Sequence, residues 1–171
     1  MNNQKQNKNK IIFNPIGVIH STFTPETGAP RQGILMPENI STIEIFNPYQ
    51  KALETLNEFE YIMVFYHFDK VKNWESYVKP PGSSHDHIFG LFATRSPKRP
   101  NPIGFSVVKL DQIKDGVLFV RGLDAFDGTP VLDIKPYLPS IDCIESQQNR
   151  EVEKELGHHD EDFIDDPAFY Q

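Results

Sequence analysis

The chain has 171 residues, of which 38% are hydrophobic and 24% charged, as is typical of a globular protein long enough to bury a core. No apolar run approaches the ~18 residues of a membrane helix, and the N-terminus lacks the apolar segment of a signal peptide. A single cysteine, Cys143, excludes an internal disulfide framework and a cysteine-rich metal site. We therefore expect a cytoplasmic protein whose one thiol is buried and inert.

The net charge of −7 is unevenly distributed. Residues 1–139 hold 15 Lys and Arg against 14 Asp and Glu, whereas residues 140–171 hold 2 against 10. The body is thus nearly neutral and the C-terminal segment is acidic. An acidic segment repels a polyanion close to it. If the protein acts on nucleic acid, this segment therefore has to lie away from the binding site.

Short segments rich in Val, Ile, Phe and Tyr follow one another along the body, separated by turn residues, a pattern typical of β-strands. The predicted strands are Ile16–His20, Thr42–Phe46, Tyr61–Phe68, Ile88–Ala93, Phe105–Ile113 and Val117–Gly122. Lys114-Asp115-Gly116 predicts a hairpin, because Asp-Gly suits the left-handed positions of a tight turn. Without a regular alternation of helices, the fold class is mainly β, an antiparallel sheet or barrel.

Two short helices are predicted outside the strands. Tyr49–Leu56 follows Asn47-Pro48, which is typical of a capped helix with proline in its first turn. Glu145–Leu156 is the second helix, ended by Gly157. The predicted organisation is a disordered tail over residues 1–10, one β domain over 11–142, and a helix with an acidic tail over 143–171.

The most unusual connecting segment of the chain is residues 90–104. Its sequence is Gly-Leu-Phe-Ala-Thr-Arg-Ser-Pro-Lys-Arg-Pro-Asn-Pro-Ile-Gly. Three prolines restrict the backbone of this segment, which carries the cations Arg95, Lys98 and Arg99. A rigid loop with cations can hold an anionic group at a defined geometry. A rigid surface turn with solvated charges explains the same residue types.

Three other places carry candidate chemistry. Gly28–Gly33 is a proline-stiffened turn that presents Arg31. Gly122–Pro130 contains two carboxylates three residues apart, and an ordinary Asx-turn at the end of a strand explains it equally well. His67, at the end of a predicted strand, is either a candidate base or a histidine packed in the core.

Together these segments suit a ligand that carries charges of both signs. Arg31 and Arg95 can clamp a carboxylate, while Asp124 or Asp127 can accept from an ammonium or a ribose hydroxyl. A stacking wall for a base can come from the aromatic side chains Phe68, Phe105 and Phe126. S-adenosylmethionine has this set of groups, as do many amino-acid-like ligands, and no Rossmann or phosphate-loop motif is present.

Two histidine clusters, His85-Asp86-His87 and His158-His159-Asp160, invite a metal-site interpretation. Neither has the i, i+4 spacing of strong zinc motifs, and neither has an evident third ligand. We therefore predict no metal.

The segment Gly90–Gly104 resembles the signature of the TsaA-like (YaeB, TrmO) family. The resemblance also includes Pro15–Ile19, Pro30–Gln32, Tyr61–His67 and Asp124–Leu138, so it spans roughly residues 13–142. It implies a compact antiparallel β-barrel methyltransferase that binds S-adenosylmethionine and works as a homodimer. The best-known members N6-methylate the threonylcarbamoyladenosine next to the anticodon of tRNAs that read ACY codons.

The resemblance also implies site residues. The cofactor positions of the family correspond here to Pro30, Arg31, Gln32, His67, Phe68, Arg95, Phe105, Asp124, Ala125, Phe126 and Asp127. Lys98, Arg99 and Asn101 then remain to bind a tRNA substrate. Phe68 stands where the tRNA enzymes have Glu or Gln, and Phe105 where Leu or Met is common. The tRNA enzymes typically continue into a C-terminal domain, where this chain has a short helix and an acidic tail.

We hypothesise methyl transfer to the exocyclic nitrogen of the modified adenosine, with His67 as general base and Asp127 as the second candidate. One alternative is a methyltransferase of this family that acts on a small molecule or another RNA base. A different class of function is a non-catalytic S-adenosylmethionine-binding module whose acidic tail docks a partner.

Overall fold

A computed structural model of the chain describes residues 11–79 and 88–156. Six strands close an antiparallel barrel in the order β1-β2-β7-β6-β3-β8. These strands are β1 (Gly17–His20), β2 (Ile40–Ile45), β3 (Tyr61–His67), β6 (Ile103–Lys114), β7 (Val117–Arg121) and β8 (Pro130–Pro136). A small separate sheet pairs β4 (Tyr77–Val78) with β5 (Phe89–Gly90). The predicted β-barrel is confirmed.

The core fills the barrel interior and follows from the alternation of side chains along each strand. Along β3 the even-numbered side chains are buried, and along the first half of β6 buried and exposed positions also alternate. The fully enclosed side chains are mostly branched aliphatic ones, among them Ile19, Ile43, Ile62, Val64, Val108, Leu118, Val120 and Val131. Because these residues are compact and branched, they fill most of the interior of a narrow six-stranded barrel.

The predicted hairpin between the last two strands is confirmed. Asp115 has a φ of 51° and Gly116 a φ of 79°, so both lie in the left-handed region that the turn requires. The paired strands β6 and β7 run antiparallel from this turn.

Three strands differ from the predictions, and one of them is the two-residue β4, which was not predicted. Ile88–Ala93 forms a strand only at Phe89–Gly90, because the chain then turns into a 3₁₀-helix over Leu91–Ala93. β8 was not predicted, since its prolines and its charged Asp133 and Lys135 obscure the strand pattern. Its prolines stand at its first and last positions, where strands tolerate them.

The helix predictions are correct in place but not in every detail. The segment after Phe46 is a 3₁₀-helix over Asn47–Leu53 rather than an α-helix over Tyr49–Leu56, and Asn47 makes no capping hydrogen bond. The C-terminal helix α2 spans Gln147–Leu156, after a single helical turn, α1 (Pro139–Asp142). Cys143 directly follows α1 and is exposed, so the expectation of a buried thiol was wrong.

Some predictions fall outside the described residues: the disordered tail over 1–10, the acidic end of the chain, and both histidine clusters. The division into three parts at residues 11 and 143 stays a prediction. No helix within residues 11–79 and 88–156 has the length and apolar character needed to cross a membrane.

The strand directions bring three long connections to one end of the barrel. β1, β3 and β7 end there, and β2, β6 and β8 begin there, because every pair of neighbours is antiparallel. The connections at this end are residues 21–39, 68–102 and 122–129, and each contains one of the predicted site segments. We call this end the mouth of the barrel.

Candidate cofactor and substrate site

Asp124 joins the 122–129 connection to the 21–39 connection and to the barrel wall. Its Oδ1 accepts hydrogen bonds from the Ser106 hydroxyl at 2.5 Å and the Tyr66 hydroxyl at 3.0 Å. Its Oδ2 accepts from the Gly33 amide at 3.1 Å. Tyr66 and Ser106 are buried residues of β3 and β6, so this carboxylate links two strands to the 21–39 connection.

Two opposing effects act on the Asp124 carboxyl. Burial raises its pKa above the ordinary value, and the hydrogen bonds from Ser106 and Tyr66 act in the opposite direction. Asp124 keeps some exposed surface, but its carboxyl group is enclosed. Desolvation of that group is therefore the larger effect, and the pKa of Asp124 is raised. A buried carboxylate with several donors fixes the geometry of its surroundings, since each donor would be left unpaired if it moved away.

The first two connections are joined directly by predicted cofactor residues. The Arg95 guanidinium donates to the Gln32 side-chain oxygen at 2.7 Å. Gln32 in turn donates to the Arg31 carbonyl at 2.5 Å, so the side chains of two predicted segments form one surface. Pro30 is buried and Arg31 is half-buried, while Arg95 is exposed.

The first and third connections touch through two glycines. A Cβ placed on Gly33 would lie 1.7 Å from the Gly122 carbonyl oxygen, so only glycine permits this approach. Gly122 itself has a φ of 74°, in the left-handed region, and its amide donates to the Asn39 carbonyl at 3.1 Å. These contacts hold the 122–129 turn against the 21–39 connection.

The four consecutive residues 124–127 have different environments. Ala125 belongs to the barrel core, and Phe126 packs in a second buried cluster with Phe23 and Ala29. Asp127 is on the surface, where its Oδ1 accepts from the Ser21 amide at 3.2 Å and lies 3.6 Å from the His20 ring. The turn therefore offers a ligand its backbone and the Asp127 carboxylate more readily than the side chains of its middle residues.

The predicted site residues of β3 and β6 lie on two sides of the barrel wall. Phe68 packs against the core, with its ring edge-on to that of Tyr66 at 5.3 Å. His67 and Phe105 belong to the outward-facing set, and the Phe105 ring lies 5.2 Å from that of Phe65. Within the described part of the chain, the His67 ring makes no hydrogen bond or ion pair with another side chain. The predicted cofactor residues therefore lie partly at the mouth of the barrel and partly on the outer face of its wall.

The predicted substrate residues lie on the 68–102 connection. Lys98 forms an ion pair with Glu75 at 3.2 Å, and Asn101 is exposed. The Arg99 guanidinium donates to the carbonyls of Thr94 at 2.8 Å and Ser96 at 3.3 Å, so it also braces its own loop. Arginine has five N–H donors, which leaves Arg99 further donors for a phosphate.

Sequence reasoning missed Tyr66 and Ser106, the two hydroxyls that hold Asp124. Both lie at inward positions among aliphatic residues. A polar residue at an inward-facing strand position is the signal that would have found them, because a buried hydroxyl requires a partner.

The groups at the mouth fit the chemistry of S-adenosylmethionine. Guanidinium groups on the first two connections suit its carboxylate, the Asp127 carboxylate suits an ammonium or ribose hydroxyl, and Phe68 offers an aromatic edge. No three His, Cys, Asp or Glu side chains are grouped to hold a metal ion within residues 11–79 and 88–156.

Comparison with known proteins decides the family. Residues 18–143 match the model of the tRNA-methyltransferase O N-terminal domain. The chain belongs to this family. The resemblance found in the sequence, and with it the assignment to a family of S-adenosylmethionine-dependent tRNA methyltransferases, is confirmed.

Three relatives illustrate the range of the family. An S-adenosyl-L-methionine-binding protein of Archaeoglobus fulgidus is 42% identical over 82% of this chain and 99% of its own length. A mouse tRNA (adenine(37)-N6)-methyltransferase is 36% identical over 87% of this chain but only 35% of its own. The crystal structure of TrmO from Pseudomonas aeruginosa superposes with a TM-score of 0.64 at 38% identity, covering 79% of this chain and 59% of that one.

Proposed function

We propose that this member of the tRNA-methyltransferase O family transfers the methyl group of S-adenosylmethionine to N6 of threonylcarbamoyladenosine beside the tRNA anticodon. The observation that carries the proposal is the convergence of three predicted segments at the mouth, joined by the Arg95–Gln32 and Gly33–Asp124 hydrogen bonds. The name of the mouse relative supports the acceptor, and the cations Lys98 and Arg99 support an anionic substrate.

When bound, S-adenosylmethionine supplies an electrophilic methyl group on a sulfonium. The residues of this chain mainly have to hold donor and acceptor in line, a contribution on the order of 7–11 kcal/mol to lowering a reaction barrier. Arg31, Gln32 and Arg95 would hold the cofactor, and the backbone of 124–127 would border it. The acceptor nitrogen loses its proton as its bond to carbon forms, and we propose His67 as the base that takes it, with Asp127 as the second candidate.

We further propose that the chain acts as a homodimer in the cytoplasm. Ile103, Phe105 and Val107 form an apolar stripe on the outer face of β6, and each is 40% exposed. Since His67 faces the same side of the barrel wall as this stripe, a second copy lying there would cover His67. The stripe suits the apolar centre of a contact between copies, and the charged side chains of Lys109 and Lys135 would lie at its rim.

One observation favours a second candidate function, a module that binds S-adenosylmethionine without catalysis. In the described residues the His67 ring lacks the orienting partner that a general base usually has, and Asp127 already accepts from the Ser21 amide. A methyltransferase that acts on a small molecule or another RNA base is the remaining alternative.

Mass spectrometry of tRNA nucleosides from cells that lack and then regain the gene tests the proposal. We expect methylated threonylcarbamoyladenosine to disappear and return with the gene. Calorimetry with S-adenosylmethionine accompanies it, and binding without any change in the nucleosides would favour the module or the small-molecule enzyme. Absence of binding would contradict all three.

A further inference from the structure

Phe92 is a large aromatic side chain that the fold holds out in solvent. It is 80% exposed, whereas its neighbour Leu91 is only 3% exposed. The 3₁₀-helix over Leu91–Ala93 is fixed at both ends, since the Leu91 amide donates to the Ser76 carbonyl and the Thr94 hydroxyl donates to the Leu91 carbonyl. The exposure of the ring is therefore a property of an ordered backbone.

Arg99 supports this ring. Its guanidinium carbon lies 5.6 Å from the centre of the Phe92 ring, within the range of a cation–π contact. The two hydrogen bonds from Arg99 to the Thr94 and Ser96 carbonyls keep the guanidinium in place. The result is a preformed pair, an exposed aromatic face next to a fixed positive charge.

The surrounding β3–β6 connection is basic and aromatic. Its described residues, 68–79 and 88–102, hold six Lys and Arg and two Asp and Glu, a balance of +4 in a chain of net charge −7. Trp74 and Tyr77 are also exposed, at 56% and 68%. Hydrogen bonds tie their segment to the loop, because the Glu75 amide donates to the Lys98 carbonyl and Tyr77 pairs with Gly90.

We propose that Phe92, supported by Arg99, is a stacking platform for an unpaired base of the RNA substrate next to the methylated adenosine. Exposed aromatic rings interleaved with cations are the means by which proteins bind single-stranded nucleic acid, because the ring takes the base and the cations take the phosphates. The inference rests on the proposed function for the identity of the RNA.

The test uses the full chain and a synthetic tRNA anticodon stem-loop whose loop carries the fluorescent analogue aminopurine beside the target adenosine. Phe92→Ala should weaken RNA binding on the order of tenfold and lower the quenching that stacking produces. Phe92→Tyr keeps the aromatic face and should bind as the unaltered protein does, whereas Phe92→Leu should behave like the alanine variant. Ile144→Ala removes a side chain of similar exposure, 84%, outside this connection and should change nothing.

Two further measurements separate the outcomes. Calorimetry with S-adenosylmethionine should give the same affinity for all four variants, and sedimentation should give the same mass. RNA affinity within twofold of the unaltered protein for Phe92→Ala overturns the inference, as does a change of mass, which would make the ring a contact between copies. Lack of RNA binding by the unaltered protein overturns it too.

Failure of the proposed function looks different. If the unaltered protein methylates tRNA and Phe92→Ala keeps its KM and RNA affinity, only the platform is refuted. If Phe92→Ala weakens RNA binding but no variant transfers methyl, only the proposed function is refuted.

Discussion

The inner and outer faces of the β3–β6 pair carry different parts of the candidate site. On the inner face the buried Tyr66 and Ser106 hold the Asp124 carboxylate. On the outer face His67 and Phe105 stand beside exposed aliphatic side chains. The inner face thus fixes the geometry of the mouth, while the outer face is exposed to a ligand or a partner. Substitutions on the two faces should therefore have different consequences.

The largest effect on stability is expected from a substitution on the inner face. A Cβ at Gly104 would lie 2.1 Å from the Tyr66 ring, which is buried and cannot move aside. We expect Gly104→Ala to lower the free energy of unfolding by about 3 kcal/mol, measured by urea titration. Gly90→Ala is the matched control, because nothing lies within 4 Å of a Cβ there. Equal stability of the two variants would contradict the tight packing of the inner face.

On the outer face, His67→Ala tests chemistry rather than packing. If His67 is the general base, its loss should slow turnover on the order of a hundredfold, with S-adenosylmethionine affinity retained. Single-turnover kinetics and calorimetry measure the two quantities. A parallel loss of both would make His67 a binding residue only.

Removing the Asp124 carboxylate leaves the Tyr66, Ser106 and Gly33 donors without their acceptor. We expect Asp124→Ala to cost about 2 kcal/mol of stability and to weaken cofactor binding, since the mouth loses its common anchor. Asp127→Ala, at a surface position three residues away, should leave stability within about 0.5 kcal/mol of the unaltered protein. A larger loss of stability in Asp127→Ala than in Asp124→Ala would contradict the role of Asp124 in holding the mouth together.

Asp124 also predicts a pH dependence. Because burial raises its pKa in the folded state, the folded chain holds the Asp124 proton more tightly than the unfolded chain does. The contribution of this group to stability is therefore greatest below about pH 3.9, its unfolded pKa, and falls as the pH rises through the folded pKa. The stability difference between the unaltered protein and Asp124→Asn should follow that direction. A difference that grows with pH would contradict the raised pKa.

The smallest effect on stability is expected from the apolar stripe. Val107→Lys on the outer face of β6 should change the free energy of unfolding by less than about 0.5 kcal/mol, yet convert the proposed dimer to monomer in analytical ultracentrifugation. Gln112→Lys, at another exposed position of the same strand, is the control and should remain dimeric. If Val107→Lys keeps the mass of the unaltered protein, the stripe is not the contact between copies.

Much of the barrel could be predicted because most strands have strong β-forming residues and clear turn signals. β8 escaped because prolines at its ends and alternating charges weaken the pattern, although pairing with β1 and β3 stabilises it. The 3₁₀-helix after Gly90 escaped because Leu-Phe-Ala has no turn residue, and the buried Leu91 side chain and tertiary hydrogen bonds determine its course. Neither effect is visible in local residue preferences.

The candidate site was only partly accessible from the sequence. Motifs pointed to Arg95 and Pro30–Gln32, and the Arg95–Gln32 hydrogen bond joins them. The separation of His67 from the Asp124 cluster was not accessible, because it depends on which face of a strand each side chain occupies. The Gly33 contact with Gly122 depends on two connections that are distant in sequence and meet only after the barrel closes.

To test methyl transfer, the purified chain is incubated with S-adenosylmethionine that carries an isotopically labelled methyl group and with tRNA containing threonylcarbamoyladenosine. We expect nucleoside mass spectrometry to find the labelled methyl on the N6 position of that nucleoside, and Asp124→Ala to transfer much less. If the chain binds S-adenosylmethionine in calorimetry and no tRNA nucleoside gains the label, the account of this chain as a tRNA methyltransferase is contradicted.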